Sequence, residues 1–345
     1  MSRYPKPKEK KRKKSFWIKL VIIAILVLII WYTFKGSFAD IVTELATTTP
    51  KLVAVICVSS VLYHLVEAWV LYPMARHYNP DFKYYQAVTV AFYCSFYRLS
   101  TLGSGGGVAA VYYFGRHGIG YAEALGFYTV QYVVHKAAIA LVSGVFFLLN
   151  WTYMSAHYAR YGRILLLAYA LTCLICIGLV LFMVSKWFHG LIMKLLQHFN
   201  KSGRFDEAFE KVEFFISVME TSVVELAHDH KLMVLSVLKN MLKCVFWYAI
   251  PFFILLPEHL VRLVDALSVT SLSVMAAAVI PSPAGLGSSE FVLTSLYSVI
   301  VGVEKAGAVA VLYRIATFIF PFALGFFFVI GERVCRRKAA IKAGE

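Results

Sequence analysis

The sequence predicts an all-α integral membrane protein with about six transmembrane helices and two re-entrant helical hairpins arranged as an inverted repeat. Three observations lead there. The 345 residues are 60% hydrophobic and only 15% charged, with a mean hydropathy of +0.71, a balance that no soluble domain of this length shows. Several apolar runs reach the roughly 18 to 20 residues that a helix needs to cross a hydrocarbon core. Two further apolar tracts are each interrupted near the middle, one by "TLGSGGG" at 101–107 and one by "PSPAGLGSSEF" at 281–291.

Six runs are predicted to cross: 17–34, 52–74, 121–150, 164–187, 232–256 and 305–330. The interrupted tracts, about 84–114 and 263–301, have halves too short to cross comfortably. Irregular backbone exposed to lipid would leave its N–H and C=O groups without partners. A hairpin that enters partway, breaks within protein or water and returns avoids that cost. The chain then divides into a basic tail (1–16), a first membrane half (17–187), a connecting segment (188–231), a second membrane half (232–330) and a basic tail (331–345).

Orientation follows from the basic residues. The start, "MSRYPKPKEKKRKKSFWIKL", carries nine basic residues and one acid, which places it in the cytoplasm. Six crossings put both termini there and leave only Lys35, Lys51, Arg160, Arg163 and Arg262 outside. The net charge of +15 therefore describes cytoplasmic flanks that touch anionic lipid headgroups, and a nucleic-acid partner is the wrong inference. The first apolar run lacks a small-residue cleavage site at the right distance and reads as an uncleaved anchor. These features predict a multi-pass membrane protein with both termini in the cytoplasm.

The remaining chemistry is sparse. The six cysteines lie in or beside apolar helices, and "CLIC" at 173–176 lacks the βαβ context of a redox motif, so it reads as core packing. No His/Cys cluster has metal-ligand spacing, no P-loop is visible, and no cofactor is implied. Within 188–231, Phe205, Phe209, Val212, Ile216 and Met219 recur at intervals of three and four, which predicts an amphipathic helix on the cytoplasmic surface.

Sliding the sequence against itself reveals a repeat at an offset of 181 residues. Glu123 falls on Glu304, Gly126 on Gly307, Tyr132 on Tyr313, Gly144 on Gly325, and Gly106 on Gly287. Three crossings separate the two hairpins, so they open from opposite sides. Paired broken helices in two inverted halves point to a substrate site near the midplane.

At the breaks, Gly103, Gly105, Gly106 and Gly107 in one tract and Gly285 and Gly287 in the other would let backbone approach a ligand. The freed N–H groups of each returning half-helix attract anions. Pro281 and Pro283 stop the preceding helix, and Ser288 adds a hydroxyl. The alternative is that the glycines only permit tight helix packing. Among ionisable residues at membrane depth, Arg314 and Lys136 are candidates to neutralise an anionic headgroup, with Glu290 holding or releasing Arg314. The alternative there is an ion pair that only locks helices. His135 and Lys243 are similarly deep, while His64 and Glu67 read as structural.

The blocks "STLGSGGGVAAVYYFGRHGIGYAEAL", "PSPAGLGSSEF" and "LYRIATFIFPFALGFFF" resemble the membrane domain of the lysylphosphatidylglycerol synthase (multiple peptide resistance factor) family, a flippase-like family that includes standalone forms. The resemblance covers nearly the whole chain and carries over Gly105, Gly106, Tyr113, Pro281, Pro283, Gly287, Glu290 and Arg314. Three positions depart from the pattern: Leu102 stands where a proline is usual, Gly107 where glutamine is frequent, and Ala284 at a glycine position. The resemblance implies a lipid-translocating part without the aminoacyltransferase domain.

The sequence thus predicts a non-enzymatic flippase for an anionic or phosphate-containing lipid, bare, aminoacylated or glycosylated. A homo-oligomer is compatible with this. Two alternatives belong to other classes. A polyprenyl-pyrophosphate phosphatase would also use re-entrant loops, but "AGLGSSEF" lacks the arginine that such a loop pairs with its serine. A scaffold for an envelope lipid-modifying enzyme is the other.

Overall fold

The computed structural model describes residues 43, 46–101, 103, 105–184, 187, 190, 217, 218 and 220–343. All regular elements among them are helical. In chain order they are α1 (Pro50–Tyr78), α2 (Tyr84–Ser100), α3 (Gly105–Arg116), α4 (Tyr121–Leu149), α5 (Trp151–Tyr158), α6 (Gly162–Val184), α7 (His230–Tyr248), α8 (Ile250–Leu255), α9 (Leu263–Val279), α10 (Ser288–Val301), α11 (Val303–Arg314) and α12 (Phe320–Ala343). Among the described residues, five stretches are long and apolar enough to cross a membrane: Pro50–Tyr78, Tyr121–Leu149, Trp151–Leu181, His230–Glu258 and Val303–Val334. They correspond to five of the six predicted crossings. The sixth, 17–34, lies outside the described residues, as does most of the predicted amphipathic helix with Phe205, Phe209, Val212, Ile216 and Met219.

Local chemistry sets the helix ends. Pro50 opens α1 behind Thr49, whose hydroxyl accepts the Leu52 N–H at 3.4 Å, a position where proline's missing donor costs nothing. Glu123 accepts the Gly120 N–H at 2.8 Å at the start of α4, and Asp229 accepts the Leu232 N–H at 2.9 Å at the start of α7. The repeat has a local counterpart here, because Glu304 also sits in the first turn of its helix, α11. Between α11 and α12 the chain takes a π turn at Ile315–Ile319. Pro321 follows it closely and has no N–H to donate to the preceding turn.

The two broken pairs, α2–α3 and α9–α10, have halves of 12 to 17 residues. At about 1.5 Å per residue these reach roughly 18 to 26 Å, short of a full crossing. They enter from opposite ends of α4. At one end Asn79, after α1, donates to the His117 carbonyl beyond α3 at 2.7 Å. At the other, Asn150, after α4, donates to Asp265 in the first turn of α9 at 2.9 Å, and Arg262 also binds that carboxylate at 2.9 Å. The packing has the same correspondence, with α2 lying against α12 and α9 against α4. Gly325 of α12 allows the first contact, since a Cβ there would collide with the Phe92 carbonyl and with Phe96.

Between the third and fourth predicted crossings, beside Arg160 and Arg163, residues 151–158 form the short helix α5. Tyr158 is buried there and donates to the Leu296 carbonyl at 3.0 Å. The apolar face of Met154 and Tyr158 explains why the segment folds back. Topology is therefore best read at exposed positions. In an otherwise cysteine-free chain, Arg160→Cys is expected to label from outside and Asp81→Cys from inside. Labelling of both from one side would refute the opposite orientation of the two hairpins.

Candidate functional site

The breaks follow from their sequences. Neither Pro281 nor Pro283 has an N–H, and Ala284, Gly285 and Gly287 take φ of 58°, 71° and 83°. Left-handed backbone costs a residue with a Cβ about 1 to 2 kcal/mol, which gives a physical reason for glycine at the position Ala284 occupies. In the first break Gly103 has φ 100°, and Thr101 caps α3 by accepting the Gly105 N–H at 2.6 Å. The two breaks touch. A Cβ on Gly103 would lie 2.9 Å from the Ala284 amide nitrogen and 3.1 Å from its Cα.

Beside this contact is a cavity of about 320 Å³ bounded by α1, α2, α3, α4 and α7. Arg98, Lys136, Lys243, Glu67, His64 and His135 line it, with Gly103, Gly106 and Gly107 at the first break. Arg98, Lys136, Lys243 and Glu67 lie 13 to 17 residues from the starts of their helices, roughly 20 to 25 Å along each axis. Four helices thus bring their charges to one level near mid-height. Charge is rare at such a depth and usually faces a cavity or a partner.

Among the described residues, one of the three cations has a direct ion pair. Lys243 is fully buried and pairs with Glu67, and its ammonium lies 5.2 Å from the centre of the Tyr63 ring. Gln131 and Asn240 hydrogen-bond each other at 3.2 Å, and Gln131 also donates to Glu67 at 3.4 Å. His64 contacts Ser95 Oγ at 3.0 Å and the Ser60 carbonyl at 2.8 Å. Among the described residues, Arg98 and Lys136 have no hydrogen-bond or ion-pair partner. Lys136 rests over the Tyr132 ring at 5.5 Å. Two other wall residues carry buried polar atoms without a partner, His135 Nδ1 and Trp247 Nε1.

The residues singled out from the sequence separate into two groups. Gly106, Gly107 and Lys136 line the cavity, and Gly105 is next to them in the first turn of α3. The second-break residues form a lock beside it. Arg314 Nε donates to Glu290 Oε1 at 2.7 Å, and Nη2 donates to the Ala284 carbonyl at 3.3 Å. Glu290 Oε2 accepts from the Gly287 N–H at 2.9 Å and from Ser289 at 3.1 Å. Ser288 meets Ser282 at 2.6 Å, while Pro281, Pro283 and Gly285 shape the turn that Arg314 holds. Tyr113 is apart from both groups, buried and stacked on His117 at 4.1 Å between centroids.

Arg98 was missed in the sequence. It lies three residues before the Thr101 break, and a charge next to the tip of a half-crossing hairpin is necessarily deep. Glu67 and His64, read as structural, also line the cavity. A larger apolar cavity of about 400 Å³, lined by Phe147, Trp151, Tyr158 and Leu165, contains no charged side chain and carries no headgroup chemistry.

Residues 16–325 match the lysylphosphatidylglycerol synthase TM region family, and the chain belongs to it. No curated protein matches the chain significantly. It is a multi-pass membrane protein of a family tied to lipid modification.

Proposed function

We propose that this protein is a lipid flippase, moving an anionic or phosphate-containing lipid, bare, aminoacylated or glycosylated, between leaflets. The observation that carries the reading is the charged cavity beside the contact of two broken helical pairs, at a depth where apolar helices otherwise exclude charge. A headgroup would occupy the cavity while its chains stay in the bilayer, which avoids most of the cost of moving a polar group through hydrocarbon. The opposite approach of the two pairs, their mutual contact and the offset of 181 residues support an inverted repeat, the architecture that places a site near the midplane and lets one half rock against the other. The role has no covalent step; the cavity residues bind and release. A cytoplasmic position for both termini, with basic tails against anionic lipid, completes the proposal.

The test is reconstitution. Liposomes holding the purified chain and a headgroup-labelled fluorescent phospholipid are expected to lose inner-leaflet protection of the label faster than empty liposomes, with the lipid chemically unchanged. Release of phosphate would favour the phosphatase. Protection equal to that of empty liposomes for every anionic lipid tried would sink the flippase.

A further inference from the structure

We infer that Arg98 and Lys136 form a phosphate-binding subsite loaded sideways from the bilayer at the rim where α3 meets α4. The inference rests on the lipid-translocation reading and names the residues and group it recognises. The cavity wall has three cations and one carboxylate, and Lys243 already holds that carboxylate. A guanidinium with no direct ion pair at this depth is costly, and a phosphate oxygen pair matches its fork of N–H donors. Arg98 Nε comes within 3.8 Å of where a Cβ on Gly106 would be, so the glycine keeps the space above the guanidinium open. The unpartnered Trp247 Nε1, a donor only, borders the same cavity.

The rim identifies the route. Gly107 is exposed and approaches Tyr128 across the α3–α4 contact, where its Cβ would be 3.7 Å from the ring. Tyr132 is 48% exposed, and it supports Lys136 on the same side. These positions lie within helices that cross or half-cross the membrane, so their open side faces lipid. Farther along α3, Arg116 lies over Tyr112 at 5.5 Å, repeating the cation-on-tyrosine pairing near the helix end.

The experiment uses the full chain in a neutral maltoside detergent, with the thermal unfolding midpoint followed during titration by monomeric dihexanoyl phosphatidic acid, dihexanoyl phosphatidylcholine or inorganic phosphate. Phosphatidic acid is expected to raise the midpoint saturably, and Arg98→Gln combined with Lys136→Gln to raise its half-saturating concentration at least about tenfold. Arg98→Lys should recover part of that loss. Because neither cation makes a hydrogen bond or ion pair with a described residue, and Lys136 has only its contact with the Tyr132 ring, the double variant without ligand should melt close to the parent. Unchanged half-saturation in the double variant, or a marked fall in its ligand-free midpoint, would overturn the subsite. An equal shift with inorganic phosphate would place the ligand's source in solution and overturn loading from the bilayer. Binding in detergent is independent of exchange. A parent chain that binds the lipid but never exchanges it would keep the subsite and remove the flippase, and exchange that survives without binding at Arg98 would do the reverse.

Discussion

Replacing Arg314 alone with glutamine is expected to lower stability by about 3 kcal/mol and to stop lipid exchange. Removing one member of a buried ion pair leaves the other uncompensated, at a cost of roughly 3 to 5 kcal/mol. The side chains of Arg314 and Glu290 are 15% and 22% exposed, which puts the loss at the lower end. Adding Glu290→Gln removes the orphaned charge, so the double variant should regain most of the stability. Exchange should stay low, because neither substitution restores the Arg314 bond to the Ala284 carbonyl, and Ala284 is the residue that touches Gly103. Thermal unfolding reads the first effect and exchange in liposomes the second. Near-normal exchange by the double variant would show that the pair only locks helices.

Apolar run length and breaker placement were enough to locate five described stretches long enough to cross and both broken pairs, because hydrocarbon thickness and backbone satisfaction leave few alternatives. What they could not supply was convergence. Glu67, Arg98, Lys136 and Lys243 come from four helices, and only the packing of α1, α2, α4 and α7 shows that they share a cavity. Glu67 read as structural because its partner lies 176 residues away in sequence. Arg314 attracted attention through its motif and depth, and Glu290 was named as its partner; the second bond, to the Ala284 carbonyl, has no signal in the sequence. In the structure its donors hold Glu290 and the second break. α5 was missed for a related reason, since eight residues beside a long apolar run carry too short a pattern to separate from a loop.

The contact between the two breaks leads to the second large effect. Gly103→Ala would place a Cβ 2.9 Å from the Ala284 backbone nitrogen, and the backbone there cannot yield without parting the tips. Left-handed backbone adds about 1 to 2 kcal/mol for any residue with a Cβ. A penalty of about 1.4 kcal/mol shifts an equilibrium tenfold, so exchange should fall by at least that much while membrane insertion is unaffected. Gly106 separates contact from cavity space. Its Cβ would find the Cys94 carbonyl at 3.4 Å and Arg98 Cβ at 3.6 Å, so alanine should be tolerated with small adjustment. Leucine at the same position would extend into the cavity and displace Arg98. The expected order of exchange rates puts the parent and Gly106→Ala close together, with Gly106→Leu and Gly103→Ala far below. Parental exchange by Gly103→Ala, inserted at normal levels, would mean that transport does not depend on the meeting of the two breaks.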